Sequence, residues 1–591
     1  MQGGGFLRLA LLAIAGFLAY QYFLGGSGES AKLQPIADEV RVTPEARAPY
    51  QFCDIATDYF RARLTTRGAA LSHFELAKPK YQKHGTPIDL STTPHPGVAL
   101  GSPRAEDPSA PGLHEFRQQL FSQWRNPTSL APADTPWNMD FDSVDYQLSN
   151  VDGKSCEFVY RDAKVEIQKL VKATERPYEL EVTHVIKNLD LAPRAHALAI
   201  DTVAWHRTED VAGHMFRVSP FVTHVECVPL SGKAFRYLPT DFEPDDFQDA
   251  DKHQVIRPWG WYQVRATPDI AAVSNAYFTQ GIANIAGEGA PKCELSIENH
   301  FKDGKASDPA SGSFYRARMA YPLRTLAPSE SVRYVELAYI GPKERSILAH
   351  SGGGSHRFLE LIDLGFFSVI AEVLVAFLLK VHSIIPNWGI AIIMLTVTAR
   401  VLLFPLSWPS IRNMVRMREL KPEMDAMNEK FKNDPQAKGL AQMELWRKHK
   451  VNPLKGCLPQ LASMPVWLAL YTTLQTAVEL YNIPFLWFPD LSDSDPYFIL
   501  PIVIGATYFL QQKLMPMQGG DPAQQKMMMY FMPAMFTVFM LFLPSGLGVY
   551  MFTNSVLAIV QQQIVERQVK RKSSARAGVT DSEPVLGKGK V

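Results

Sequence analysis

The sequence predicts a mixed fold, in which a polytopic α-helical membrane domain of six spans, five of them forming its core, carries a large extracytoplasmic β-sandwich. Two observations predict this fold. Apolar runs near the N-terminus and in the C-terminal part of the 591-residue chain alternate with charged segments, which is typical of membrane proteins. Residues 50–345 contain no run long enough to span a bilayer, and their strongest periodicity is two, which is typical of half-buried strands.

The first apolar run predicts an uncleaved membrane anchor within residues 1–25. The run from Phe6 to Leu24 is longer than a signal-peptide core of about 7 to 15 residues, and no A-x-A cleavage site follows it. Residues 26–49 are rich in Gly, Ser, Pro and Glu, so they are predicted to be a flexible linker.

Residues 50–345 are predicted to form the β-sandwich. Apolar and polar residues alternate in many segments, which turn signals separate, as at Tyr178, Leu180 and Val182. The histidines here show no metal-ligand spacing, and we predict neither a metal nor a cofactor. Residues 346–357, which contain the run SGGGS, are predicted to be a linker.

Charge and cysteine content exclude some functional classes. The formal net charge of +1 gives no indication of direct nucleic-acid binding. No CxxC pair exists, so a zinc or thioredoxin-type site is not expected. A disulfide is left open for the four cysteines that precede the membrane domain, if they lie outside the cytoplasm: Cys53, Cys156, Cys227 and Cys293.

Charge also predicts the topology. Residues 407–456 hold eleven Lys or Arg against six Asp or Glu, and residues 567–591 form a second basic segment, so both are predicted to be cytoplasmic. Residues 358–385 are apolar but carry five charged or titratable side chains. A span there would place the basic loop outside, so we predict an amphipathic helix lying along the outer membrane surface.

The membrane core is predicted to occupy residues 386–566. The five spans of this core follow the N-terminal anchor, and the loop 484–496 between two of them is acidic and aromatic, which is typical of an outer loop. These spans are Asn387 to Leu406, Leu458 to Tyr481, Tyr497 to Gln512, Met527 to Leu543 and Leu547 to Val565.

Arg400 lies inside the first of these core spans and is the main candidate site residue. An arginine at the centre of a spanning helix costs about 2.5 to 3.5 kcal/mol on insertion scales, so such residues usually face a bundle interior or a hydrated cavity. It lies roughly 9 Å inside the helix end at about 1.5 Å per residue. That depth predicts a cavity open to one side of the membrane.

Other polar residues within the spans are candidates for the same cavity. Thr396 is four residues before Arg400 and shares its helix face, while Gln475 and Asn554 lie in other spans. The alternative for each is a structural hydrogen bond between neighbouring helices.

Residues 407–456 are predicted to form a cytoplasmic helical hairpin, broken at Asn433-Asp434-Pro435. Met417, Met424 and Met427 recur at helical spacing along its first arm, and methionines give an adaptable apolar surface. One interpretation is a docking arm for a ribosome, a targeting factor or a nascent chain. The other is a small solvated coiled coil.

Several motifs, in a consistent order, resemble the YidC/Oxa/Alb family of membrane-protein insertases, and the resemblance covers about Arg357 to Arg571. Asn387-Trp388-Gly389 enters the arginine helix, which continues to Pro405-Leu406. The remaining motifs are VNPLKGCLPQLASMPVWLALY from Val451, DPAQQKMMMYFMP from Asp521 and FLPSGLGVY from Phe542. The β-domain is similar in length and position to the periplasmic β-supersandwich of the Gram-negative members, a mutarotase-like fold.

The resemblance implies a bacterial inner-membrane insertase and chaperone, working alone or with the Sec translocon. It implies a hydrophilic groove in one leaflet, open to lipid and cytoplasm, in which Arg400 lies and to which Thr396 and Tyr550 contribute. Asp521 would join the cytoplasmic docking surface. The implied partners are nascent and newly made membrane proteins, Sec components, the ribosome, the signal recognition particle receptor and the lipid bilayer, with nucleic acid met only through the ribosome.

Two other functions compete with this one. A membrane-anchored carbohydrate-binding or mutarotase-like protein would leave the C-terminal spans unexplained, and a secondary transporter would require an inverted repeat, which the sequence lacks. Neither a GxxxxGK[ST] loop nor a GxSxG elbow is present. We therefore expect a catalyst of transfer that is not an enzyme of bond chemistry.

Overall fold

A computed structural model describes residues 34–36, 51–66, 68–83, 85–90, 120–125, 139–140, 145–207, 219, 221–242, 261–287, 289–300, 312–431, 434–449, 466, 468–514 and 527–580. The predicted anchor at 1–25 and almost all of the linker at 26–49 lie outside these residues. Asp521, most of residues 85–112 and the start of the predicted span Leu458 to Tyr481 also lie outside them.

The N-terminal half of the described chain is built from antiparallel strands. In chain order they are β1 Gln34–Ile36, β2 Phe52–Ala56, β3 Phe60–Thr65, β4 Ala70–Leu76, β5 Gln82–Lys83, β6 Thr86–Pro87, β7 Leu120–Arg125, β8 Met139–Asp140, β9 Gln147–Val151, β10 Ser155–Arg161, β11 Val165–Ala173, β12 Glu179–Asn188, β13 Arg194–Arg207, β14 His224–Pro229, β15 Phe235–Tyr237, β16 Trp261–Val264, β17 Pro268–Ser274, β18 Phe278–Ala286, β19 Lys292–His300, β20 Gly312–Ala320, β21 Arg324–Leu326 and β22 Ser331–Pro342.

Two large sheets dominate this β-domain. One has nine strands in the order β15-β14-β17-β18-β22-β12-β11-β10-β9. The other has eight, in the order β1-β16-β19-β20-β13-β7-β8 with β21 paired to β13. The smaller sheets β2-β3-β4 and β5-β6 complete the domain. The predicted β-rich domain is therefore present.

The central strands of the nine-stranded sheet are buried on both faces, which differs from the predicted half-buried pattern. In β22 every residue from Tyr334 to Pro342 is buried, so side chains on both faces of the sheet are covered. Tyr178 contacts Tyr59, with the ring centroids 5.5 Å apart, and Tyr339 contacts Phe358 at 5.6 Å. Because chain segments cover both faces, the polar alternate Glu179 is also buried, and it accepts a hydrogen bond from Gly352 N at 2.9 Å.

The C-terminal half is helical. Its helices are α1 Ser368–Ile384, α2 Trp388–Glu419, α3 Lys421–Lys430, α4 Pro435–Lys448, α5 Ile499–Leu514, α6 Met532–Met540 and α7 Ser545–Thr580, with a further helical stretch at 468–476. Shorter turns of helix are Pro239–Phe242, Arg345–Leu348, Ser351–Gly354, Phe358–Leu361, Val478–Leu480 and the π-helical Met527–Phe531.

The helix lengths give partial support to the predicted spans. Within the part of the chain that the structure describes, one stretch, Trp388–Pro405, is both long and apolar enough to cross a membrane, and Met529–Met540 is a shorter apolar helix. Helix α2 continues through Pro405 and Pro409, and α7 extends into the basic tail. The six predicted spans are thus not established by helix length alone.

Residues 346–385 differ most from their predictions. The predicted linker 346–357 is packed, because Ser351 is buried and Arg357 donates to the carbonyls of Pro229 and Gly232. The predicted helix 358–385 is divided into the short turn Phe358–Leu361 and α1. Between them Gly365 adopts a φ of +68° and donates its N–H to Asp363 Oδ1.

The helix of the predicted span Leu458 to Tyr481 also ends earlier than predicted. Helix 468–476 ends before Ala477, and the turn Val478–Leu480 follows. Val478 and Tyr481 are buried with the core residues of the β-domain. The C-terminal end of this predicted span therefore packs against the β-domain.

Candidate functional site

The candidate site lies between α2 and α7, which pack against each other. Arg400 is on α2, and it faces Asn554 and Gln561 on α7. These two α7 residues are seven apart, so they lie two turns from each other on one helix face. The site is therefore built from regular helix and not from loop.

Hydrogen bonds to α7 orient the Arg400 side chain. Its Nε donates to Asn554 Oδ1 at 2.6 Å, and its Nη2 donates to the Asn554 carbonyl at 3.1 Å. Its Nη1 donates to Gln561 Oε1 at a longer 3.4 Å, and Gln561 Nε2 donates back to the Arg400 carbonyl at 3.2 Å. Helix α7 thus holds both the side chain and the backbone of residue 400.

No carboxylate neutralises Arg400 among the residues that the structure describes. It makes no ion pair there, and all three of its acceptors are amide oxygens. A guanidinium has five N–H groups, and these three hydrogen bonds use one N–H of Nε and one of each Nη atom. One N–H on each Nη atom therefore remains available to donate. The arrangement presents a half-buried positive charge with donors available for an anionic group.

The other predicted groove residues are placed differently. Thr396 is buried, and its hydroxyl donates to the Ile392 carbonyl of its own helix at 2.7 Å. Gln475 donates to the Tyr471 hydroxyl at 2.7 Å and has no hydrogen bond to Arg400. Both contacts lie within a single helix, so neither is the predicted hydrogen bond between neighbouring helices. Tyr550 is buried one turn before Asn554, close enough to interact electrostatically with Arg400.

Two residues near Arg400 were not predicted. Gln561 follows the apolar part of α7 in a run of three glutamines, which looks like the end of a span, so sequence alone gave no reason to select it. Tyr508 of α5 also lies within electrostatic reach of Arg400. The signal that could have found Gln561 is its seven-residue spacing from Asn554.

The loop 481–498 packs against the start of α2 and the start of α7. Ser545 N, at the start of α7, donates to the Asp493 carbonyl at 2.6 Å, and Leu491 N donates to the Ile483 carbonyl at 3.0 Å. Phe485 lies against Gly389 at the start of α2, where a Cβ atom would approach the ring to 2.2 Å. The loop therefore contacts both helices at the end that is N-terminal in α2 and in α7.

The methionines of the predicted docking hairpin are only partly exposed. Met424 of α3 is 4% exposed and Met427 is half-buried, whereas Met443 of α4 is 58% exposed. Met417 lies in α2, and its side chain, like all of Asp521, lies outside the described part of the structure. Helices α3 and α4 are linked by His449 Nε2 and Glu423 Oε2, 3.1 Å apart.

No group of three or more His, Cys, Asp or Glu side chains that could hold a metal ion occurs within the described ranges. At Arg400 the structure shows a charged hydrogen-bond donor, which can attract and bind an anionic group.

Comparison with known proteins identifies the family. A family model described as "60Kd inner membrane protein" matches residues 380–572, and one described as "YidC periplasmic domain" matches residues 53–377. A membrane protein insertase YidC from Anaeromyxobacter dehalogenans (strain 2CP-C) is 33% identical over 552 residues, which cover 90% of this chain and 88% of the relative.

A second sequence relative agrees with this family. The membrane protein insertase YidC of Paraburkholderia phymatum is 32% identical over 531 residues, 89% of this chain and 86% of the relative. A crystal structure of an active YidC insertase with its first transmembrane domain resolved is 15% identical, with a TM-score of 0.35, over 93% of this chain and 98% of that one. The sequence relatives do not favour the carbohydrate-binding alternative. The chain belongs to the YidC family of membrane protein insertases.

Proposed function

We propose that this protein inserts membrane proteins through a hydrophilic groove around Arg400, open to the cytoplasm and to lipid. The observation that carries the proposal is a half-buried guanidinium in an apolar helix, held by neutral amides and facing no described carboxylate. Such a charge is costly in a membrane unless it meets water or an anion. A polar or acidic segment of a client would enter part-way beside Arg400.

The groove lowers the barrier, and the client supplies the driving force. A polar segment in the groove crosses less apolar thickness before its adjoining helix reaches lipid. Burial of that helix contributes roughly 25 cal/mol per Å² of apolar surface. The membrane potential adds about 2.3 kcal/mol per charge per 100 mV. The mechanism needs no bond chemistry from the protein and no cofactor.

For the topology we propose six spans, a periplasmic β-domain and a cytoplasmic C-terminus. Disulfides join Cys53 to Cys156 and Cys227 to Cys293. Disulfides persist in oxidising compartments, which supports a periplasmic location for this domain. The basic segments 407–456 and 567–591 support a cytoplasmic location for the hairpin and the tail. The bacterial inner membrane is the setting that fits both.

The cytoplasmic hairpin is our proposed docking site for incoming chains. Met443 and Leu440 of α4 are exposed by 58% and 66%, so they offer an apolar patch to a partner. Met417, Met424 and Met427 belong to the other arm of the hairpin, and we propose that Asp521 contributes to the same docking surface. Nascent membrane proteins, the ribosome, the signal recognition particle receptor and Sec components are the partners that we propose on the basis of family membership.

Reconstitution tests the proposal. Protease-protected insertion of a single-span client with an acidic outer tail is measured in three kinds of liposome: empty, wild-type and Arg400→Ala. We expect insertion by the wild-type protein and a loss of about tenfold in the variant, the effect of removing one hydrogen bond to a charged group. Insertion no better than in empty liposomes would contradict autonomous insertion, and equal rates for both proteins would exclude a role for Arg400.

A further inference from the structure

Within the described part of the chain, every acceptor that Arg400 contacts is uncharged, although a carboxylate would bind a guanidinium more strongly. Asn554 Oδ1, the Asn554 carbonyl and Gln561 Oε1 take three of its five N–H groups. Amide oxygens orient the guanidinium but leave its unit charge in place. An aspartate or glutamate at the same positions would cancel that charge.

We infer that Asn554 and Gln561 are positioning residues that set the selectivity of the groove for client segments bearing a carboxylate. They keep Arg400 oriented and uncompensated, with one N–H on each Nη atom left for the client. A fork of two parallel N–H groups matches the two oxygens of a carboxylate. The inference rests on the proposed function and adds the residues that determine which clients are preferred.

The side-chain oxygens of Asn554 and Gln561 lie at different distances from the guanidinium of Arg400, so the two carboxylate substitutions should reduce insertion to different extents. Asn554 Oδ1 lies 2.6 Å from Nε, whereas Gln561 Oε1 lies 3.4 Å from Nη1. Because attraction between opposite charges increases as they approach, a carboxylate at 554 should neutralise Arg400 more completely than one at 561. Gln561 also donates to the Arg400 carbonyl at 3.2 Å, so it fixes α7 at the level of the charge.

The test replaces each amide by the carboxylate of the same shape, in the full-length protein. Insertion into liposomes is measured for Asn554→Asp and Gln561→Glu, using two single-span clients that differ only in an acidic or a neutral outer tail. We expect about tenfold slower insertion of the acidic client, less for Gln561→Glu, with the neutral client within about twofold of wild type. Gln563→Glu is the matched control, since Gln563 is exposed on the same helix.

The ratio between the two clients separates selectivity from misfolding. Equal losses for both clients would show that the amides are only structural and would overturn the inference. So would wild-type insertion of the acidic client by both carboxylate variants while Arg400→Ala remains impaired, a result that leaves the proposed function standing. If Arg400→Ala itself inserts the acidic client at the wild-type rate, the proposed function fails first, and the inference falls with it.

Discussion

Glu479 and Arg345 form an ion pair that joins the C-terminal end of the predicted span Leu458 to Tyr481 to the β-domain. Arg345 Nη1 lies 3.1 Å from Glu479 Oε2, and Arg345 N donates to Glu479 Oε1 at 3.1 Å. Both side chains are nearly buried, at 12% and 10% exposure. Beside them Asn482 donates to the carbonyls of Lys80 and Gln82, at 2.9 and 2.8 Å. The residues of one short turn therefore connect the two halves of the molecule.

Removing the Glu479 charge should destabilise this junction. Glu479→Gln leaves the Arg345 guanidinium nearly buried and without its counter-charge, so we expect a loss of about 1 to 3 kcal/mol, measured as a lower melting temperature in detergent. Glu360→Gln is the control, because its pair with Arg357 is 42% and 28% exposed and should contribute less than about 1 kcal/mol. Equal melting temperatures for wild type and Glu479→Gln would contradict a stabilising role.

At the residue scale, the sequence identifies the charged residue Arg400 more easily than the residues that form hydrogen bonds with it. Arg400 stands out because an ionised side chain in an apolar run is rare. Asn554 is a visible polar residue of a span, and the structure brings it to Arg400. Gln475 looks equivalent but bonds to Tyr471 of its own helix. The difference depends on helix rotation and packing, which local sequence does not determine.

At the scale of elements, a local sequence signal explains where the hairpin helix α4 begins. Asp434 caps α4 by accepting from Gln436 N and Ala437 N, each at 3.0 Å, and Pro435 occupies the first turn. Residues 358–385 were harder to predict, because their apolar pattern continues across the break at Gly365. There Phe358 and Leu361 are fully buried in the β-domain core, so tertiary packing separates them from α1.

A substitution at Gly389 tests whether the contact between Phe485 and the start of α2 stabilises the loop 483–496. A methyl group at this position would lie 2.2 Å from the Phe485 ring, so Gly389→Ala must displace the loop or α2. We expect a loss of about 1 to 3 kcal/mol, as in other overpacked cores, together with faster proteolysis of residues 483–496. A melting temperature and cleavage rate equal to those of wild type would show that this contact does not stabilise the loop.

A matched substitution controls for the general effect of replacing a helical glycine. A Cβ atom at Gly439 in α4 would have no neighbour within 4 Å. Gly439→Ala should therefore stabilise the protein by about 0.5 to 1 kcal/mol, because alanine loses less backbone entropy in a helix. The opposite signs expected for the two alanine variants separate steric conflict from helix propensity.

At the scale of the whole molecule, side-chain contacts join the β-domain to the helical core, in addition to the polypeptide that connects them. Tyr481, which follows helix 468–476, contacts Tyr277 and Phe278 of the β-domain, with ring centroids 5.4 and 5.9 Å apart. Sequence predicted both parts from their hydrophobic periods. It could not predict this junction or the cysteine pairing, because the paired cysteines are 103 and 66 residues apart.

Thiol counting tests the compartment assigned to the β-domain. If both disulfides form in the periplasm, the denatured, unreduced protein should accept one maleimide label, on Cys457, and the reduced protein five. A Cys457→Ser variant should accept none before reduction. Five labels on unreduced wild-type protein would place the domain in a reducing compartment and contradict the proposed topology.

The central claim is that the positive charge of residue 400 promotes insertion, and a comparison of Arg400→Lys with Arg400→Ala tests it most directly. Both proteins are reconstituted into liposomes, and protease-protected insertion of the client with the acidic tail is measured beside wild type. Lysine keeps the charge but loses the planar fork that Asn554 and Gln561 hold. We predict that Arg400→Lys inserts the client faster than Arg400→Ala, although more slowly than wild type. Equal rates for the two variants would contradict a role for the charge.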